Sequence, residues 1–289
     1  VTGVQTCALP SWDFRLSRAL VAACCGAGLA ICGAVLQSLL KNALAEPYVL
    51  GVSAGASTGA VSVVVLGIGS GTVTLSAGAF AGAFTAFAFV ALLTNGARGG
   101  SERTILAGVA ASQLFNAITA WTVSTSASAQ QARDVMFWLL GSFSGVRWPE
   151  FQMVLVAVLV GLAVCLWYAR ALDAFTFGDD AAASLGIAVP WVRLILFIVT
   201  ALMTATIVSM VGAIGFVGLV VPHAARYVVG PMHMRLLPAC AAVGAVFLVL
   251  ADIASRTVAA QQTVPIGVVT ALVGVPFFTL ILYRSRPQA

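Results

Sequence analysis

Long apolar runs separated by short polar stretches fill this chain from end to end. About 20 apolar residues let an α-helix cross the hydrocarbon core of a bilayer. Runs of that kind predict spanning helices at roughly 19–40, 48–66, 72–94, 104–123, 150–169, 193–211, 214–229, 236–254 and 264–283. The stretch 130–141 is shorter and carries Arg133 and Asp134, so it is expected to lie along the membrane interface.

One run is unlike the others. Residues 212–226 are apolar enough to enter a bilayer, yet Gly212, Gly215, Gly218 and Pro222 break them into pieces that cannot form one smooth helix. Loosened backbone at membrane depth is tolerated only where protein or a water-filled cavity covers it. The pattern therefore points to a transporter or channel core and away from a simple anchor.

Composition fits a polytopic membrane protein. Hydrophobic residues make up 61% of the 289 positions and charged residues 8%, with a mean hydropathy of +1.06. A soluble domain carries about 25% charged residues, so too little charge is present to coat a water-facing surface. A transmembrane β-barrel needs alternating strands of ~10 residues, and these runs are longer and do not alternate. The fold class is all-α, a transmembrane helical bundle.

Threading the spans alternately places Lys41, Arg98, Arg103, Arg170, Arg193, Arg226, Arg235, Arg284 and Arg286 on one side. Arg15, Arg18, Arg133, Arg147 and Arg256 fall on the other. The richer side is cytoplasmic by the positive-inside rule, so the C-terminus is inside and Arg15 outside. The net charge of +5 thus reports topology. Basic residues scattered over short loops do not form a nucleic-acid patch.

Residues 1–11 lack a starting Met, a basic n-region and a long apolar run, so they do not read as a signal peptide. They are expected to be non-native or truncated sequence, ahead of a permease domain at 12–286, with one further span expected upstream. The six cysteines form no C-x-x-C pair, and buried thiols are expected. His223 and His233 have no carboxylate or thiol at metal-ligand spacing. His223 is expected to bond a backbone carbonyl freed by Pro222. No G-x-x-x-x-G-K-[ST] motif is present, since the sole lysine, Lys41, follows Leu40, so ATP chemistry would belong to another chain.

Four segments together resemble the permease subunits of type II ABC importers, which take up iron-siderophores, haem and cobalamin. They are Arg15-Leu-Ser-Arg18 with Gln37 and Asn42 to Gly51; Phe177 to Gly186; the glycine-broken run; and Ala251 to Arg256 with Val264 to Phe277. The order is kept from about residue 12 to 283. Ser17 stands where the family usually has Pro, Ala43 where it has Pro, and Val264 where Glu precedes the later Pro.

The resemblance implies a type II permease fold of ten spans per subunit, in a homodimer or close heterodimer in the bacterial inner membrane. It also implies cytoplasmic ABC ATPase subunits, an extracytoplasmic binding protein and no cofactor. Arg15, Arg18 and Arg256 match positions that pair with the binding protein's glutamates; the alternatives are interfacial anchoring and, for Arg256, an i, i+4 pair with Asp252. The loop 170–192, with Asp173, Gly178, Asp179, Asp180 and Gly186, matches the ATPase-coupling loop, which forms two short helices. Independently, Asp179 and Asp180 suit the start of a helix and Gly186 its end. Asn42, Leu44, Ser101 and Glu102 match the cytoplasmic gate, although Asn42 could equally cap a helix and Glu102 be solvated. Gly215, Gly218, Pro222, His223 and Arg226 carry the broken-helix motif. The substrate expected from the resemblance is an iron-siderophore, with cobalamin and haem as alternatives. A secondary transporter would place ionisable residues at the midplane, whereas the acids here fall near span ends or in loops. A membrane enzyme would need a nucleophile–base or metal set, which the sequence does not display.

Overall fold

The computed structural model describes residues 11–66, 72–94, 100–126, 128–258 and 264–284. Residues 1–10 and the arginines at 98 and 286 lie outside them. A π-helical turn, Ser11–Leu16, leads into α1, Ser17–Leu39. There follow α2, Val52–Leu66; α3, Thr72–Leu93; α4, Ser101–Ser126; α5, Ala129–Leu139; and α6, Trp148–Trp167. Two short helices, α7 (Ala169–Phe175) and α8 (Asp179–Ser184), precede α9, Val189–Val211. The chain continues through α10, Val217–Val229; α11, His233–Thr257; and α12, Ile266–Arg284. No strand occurs among the described residues.

Every expected span contains a helix, but two are shorter than the hydropathy pattern suggested. Among the described residues six helices are long and apolar enough to cross a membrane, while Val52–Val65 and Val217–Val229 are shorter apolar segments. The causes are local. Pro47–Leu50 winds as a 3-10 turn that ends at Gly51, in the left-handed conformation, so α2 starts only at Val52. The left-handed Gly212 ends α9, and left-handed Phe216 precedes α10, which removes the first residues from the 214–229 span.

α1 is apolar on all sides and buried along almost its whole length, which makes it the central helix. It packs against α6, α9, α10 and α11. Small residues set the spacing of these contacts. A Cβ on Gly33 would overlap the backbone of Gly218 in α10, and one on Gly26 would overlap that of Gly244 in α11. Gly55 and Gly59 of α2 meet Gly82 and Gly78 of α3 in the same way, a reciprocal small-xxx-small crossing.

The segment expected to lie along the interface folds as α5. Ser128 and Gln131 close a capping box at its start, with Ser128 N donating to Gln131 Oε1 at 2.8 Å and Gln131 N to Ser128 Oγ at 3.2 Å. Met136 and Phe137 are exposed on it.

Among the described residues, the ion pairs gather basic residues that the alternate threading placed on the same side. Arg18, Asp252 and Arg256 meet at one end, where Arg147 also lies over the Phe14 ring. Lys41, Asp173, Asp179, Arg193 and His233 meet at the other.

Candidate functional site: the coupling loop, the broken helix and the outer arginines

The loop 170–192 folds as two short helices, as the resemblance implied. Gly178, at φ 117°, turns the chain between them. Asp179 and Asp180 occupy the first turn of α8, where the helix dipole favours acid. At the other end Gly186 is left-handed at φ 80°. Gly186 N donates to Ala183 O at 2.9 Å and Ile187 N to Ala182 O at 3.2 Å, a Schellman termination. Phe177 and Leu185 stand exposed beside these turns.

The acids of the loop hold the bundle. Asp179 accepts from Arg193 at 2.7 Å and from Lys41 at 3.0 Å. Partial burial pushes its carboxyl up, but these two cations prevail and hold it below its ordinary value. The Arg193 guanidinium also lies over the Phe175 ring of α7. Asp173 accepts from both the backbone N–H of His233, at 2.9 Å, and its ring Nδ1, at 2.6 Å. Asp180 is exposed.

The broken segment is covered by protein, as its sequence requires. Tyr48 Oη donates to Ile214 O at 2.8 Å and accepts from Ile214 N at 2.7 Å. Ser142 N reaches Val211 O at 2.8 Å. Pro222 has no N–H for Gly218 O, and Gln37 Nε2 takes that carbonyl at 3.2 Å. The expectation for His223 is corrected accordingly: its Nδ1 lies 3.1 Å from Leu219 O, one residue beyond the carbonyl that Pro222 frees. Arg226 donates to Gln37 Oε1 at 2.6 Å, which fixes the amide's orientation. Gly215 has open space around it, with a side-chain atom of Tyr48 nearest.

The residues from 5 to 284 match the FecCD transport family. The chain belongs to that family. It is 43% identical over 279 residues to the cobalamin import system permease BtuC of Halobacterium salinarum, covering 94% of this chain and 72% of that one. It is 36% identical over 276 residues to the iron(3+)-hydroxamate import permease FhuB of Bacillus subtilis, covering 95% and 71%. A solved inward-facing metal-chelate type ABC transporter matches with a TM-score of 0.88 and 30% identity, over 94% of this chain and 86% of that one. The chain is therefore the membrane permease component of an ABC importer, with the type II permease fold, and is not an enzyme.

Within this FecCD permease, the outer arginines are brought together only in part. Arg18 grips Asp252 through Nε, at 2.9 Å, and a terminal nitrogen, at 2.7 Å. Arg256 reaches the other oxygen of the same carboxylate at 2.9 Å, the i, i+4 pair weighed as an alternative. Side-chain exposure separates their roles: 16% for Arg18, 38% for Arg256 and 2% for Asp252. Arg15 is exposed.

The gate residues stand on two elements. Asn42 Oδ1 accepts from Leu44 N at 2.9 Å, an Asx turn in place of a helix cap, and Leu44 is exposed. Ser101 and Glu102 form the first turn of α4, with Glu102 exposed. No hydrogen bond or ion pair joins the two pairs among the described residues.

Sequence reasoning missed Gln37, Ser38, Lys41 and Tyr48 as partners, and Asp252 as the partner of Arg18. It also found no nucleophile–base set, whereas the fold aligns Asp173, His233 and Ser38 in hydrogen-bonded order, with Ser38 Oγ 2.7 Å from His233 Nε2. In a permease this chain of bonds is a link between helices. The available signal was a polar residue ending an apolar run, as Gln37 and Ser38 do.

Proposed function

We propose that this permease forms, with a second copy or close relative, the pathway for a metal chelate delivered by an extracytoplasmic binding protein and released inward by separate cytoplasmic ATPase subunits. The observation that carries this is the two-helix loop 169–186, closed by a Schellman turn, with Phe177 and Leu185 exposed and Asp173 and Asp179 bonded into the bundle. A loop so ordered, with apolar groups on its surface, suits a docking partner. The ATPase contact is assigned to Gly178, Asp179, Asp180 and Gly186, and the gate to Asn42, Leu44, Ser101 and Glu102.

Two chelates compete. A ferric siderophore is the class expected from the sequence, and cobalamin is favoured by the 43% identity to a cobalamin permease against 36% to an iron-hydroxamate one. We put cobalamin first. Uptake of radiolabelled cyanocobalamin and of radiolabelled ferrichrome, in vesicles holding the whole transporter with its binding protein, decides between them; uptake of neither, nor of radiolabelled haem, overturns the metal-chelate reading.

Gly186→Val tests the coupling loop. Nothing lies within 4 Å of a Cβ placed there, so the chain's own packing is undisturbed. The left-handed backbone costs a β-branched residue about 1–2 kcal/mol, enough to unwind the Schellman turn and lower ATPase co-purification about tenfold. Full association with unchanged transport would make the loop a mere connector.

The outer rim is assigned to the binding protein through Arg15 and Arg256, with Arg18 holding Asp252. Arg15→Glu combined with Arg256→Gln should weaken association about tenfold or more at low salt, and the deficit should shrink as salt screens charges beyond ~10 Å at 0.1 M. Salt-insensitive, unchanged association would leave these residues as interfacial anchors.

A further inference from the structure

The last turn of α1 is tied to both short helices of the coupling loop, by two separate routes. From α7, Asp173 holds the backbone N–H and ring Nδ1–H of His233, the first residue of α11. With Nδ1 donating to the carboxylate, Nε2 accepts from Ser38 Oγ of α1 at 2.7 Å. His233 and Ser38 are 1% and 5% exposed, so water has little access to the bond between them. From α8, Asp179 holds Lys41, immediately beyond the end of α1, and also Arg193 of α9.

Lys41 is an unusual choice for its position. Lys41 N donates to Ser38 O at 3.4 Å and Asn42 N to Gln37 O at 3.1 Å, so α1 also ends in a Schellman turn. Lys41 occupies the left-handed position of that turn, at φ 48°, where glycine is easiest. A lysine kept there against its backbone preference points to a need for its side chain, and that side chain reaches Asp179. The Asx turn of Asn42 and Leu44 follows directly. A cavity of about 270 Å³ lies beside this turn, lined by Gln37, Ser38, Lys41, Asn42, Arg226 and His233, so the turn is not packed solid on that side.

We propose that the turn Gln37–Asn42 is the receiver that carries motion of the coupling helices to the gate loop, with His233 and Lys41 as its positioning residues. This rests on the loop 170–192 being the ATPase contact. Motion of α7 pulls α1 through His233, and motion of α8 pulls it through Lys41. Both displacements arrive within one helical turn of Asn42. Gln37, bonded to Gly218 O and Arg226, passes the same displacement to the broken helix.

The test uses the whole transporter in liposomes with its ATPase and binding protein, and reads uptake of radiolabelled cyanocobalamin, or of ferrichrome if that is the chelate carried, per ATP hydrolysed. His233→Asn keeps an amide near the Nδ1 position but cannot reach Ser38. Lys41→Gly removes the ion pair while relaxing the backbone, so its melting temperature should not fall. In both, ATP hydrolysis should stay within about twofold and uptake per ATP should drop about tenfold, within the usual range of coupling between sites. Lys41→Arg should restore coupling. Because Ser38 and His233 act in series, Ser38→Ala combined with His233→Asn should lose no more than either alone. Unchanged uptake per ATP in an assembled Lys41→Gly transporter, or additive losses in the double variant, would overturn the proposal. If Gly186→Val leaves ATPase association intact, the coupling-loop reading itself fails, whatever the His233 and Lys41 variants do.

Discussion

Asp252→Ala should destabilise the permease by about 3–5 kcal/mol, the range seen when one partner of a buried ion pair is removed. The carboxylate is almost wholly inaccessible and is the shared acceptor of Arg18 and Arg256. Arg18 gives it the tighter, two-nitrogen grip and is itself mostly buried, so deletion strands that guanidinium in apolar surroundings. Arg256→Gln should cost about 1 kcal/mol or less, because the more exposed arginine keeps access to water. Thermal unfolding in one detergent, comparing the two variants with the wild type, reads the difference. Equal and small shifts would show that the carboxylate is not what holds α1 to α11 at this end. The same geometry explains why reversing the charge of Arg18 is a poor probe of partner docking. A glutamate there would face Asp252, and misfolding would be mistaken for lost association.

What could be read from the sequence was whatever depends on neighbours along the chain. Apolar runs located a helix for every span, Arg133 and Asp134 set α5 apart, and Asp179 with Gly186 marked the start and end of α8. Glycines and Pro222 announced a broken helix that needed cover. The cover itself was not legible. Tyr48 and Gln37 reach the break from 166 and 181 residues away, and nothing in local hydropathy says which helices will meet. The same holds for Asp173, Ser38 and His233, which sit 60 and 195 residues apart in their contacts. Span lengths erred where backbone conformation overrode hydropathy: an apolar residue such as Phe216 scores as membrane helix, yet its left-handed backbone interrupts one. For the outer arginines, the resemblance implied three docking groups, with a pair to Asp252 as the alternative for Arg256. Burial divides them into one that holds the fold and two that remain available.

Gly33→Leu should be the most damaging single change in the bundle. Gly33 faces Gly218 at the crossing of α1 and α10, and a side chain there would overlap the Gly218 backbone directly. Backbone cannot rotate away as a flexible side chain would, so the helices must separate. Overpacking of this kind costs about 1–3 kcal/mol on its own. Separation carries a second penalty, because Gln37, one turn along α1, would lose its bond to Gly218 O. That carbonyl is the one Pro222 leaves without an amide, and an unpaired carbonyl in apolar surroundings costs about a further 1–3 kcal/mol. Arg226 would lose its anchor on Gln37 at the same time. The combined loss, about 2–6 kcal/mol, reaches the low end of a typical domain's stability of about 5–15 kcal/mol, so less Gly33→Leu protein should be recovered as a monodisperse species in detergent. Gln37→Leu isolates the second penalty, since it removes the bond while leaving the glycine crossing intact, and should melt lower but still fold. If Gly33→Leu melts no lower than Gln37→Leu, the close approach of α1 and α10 is not what sets their spacing, and the glycines at 33 and 218 owe their places to something else.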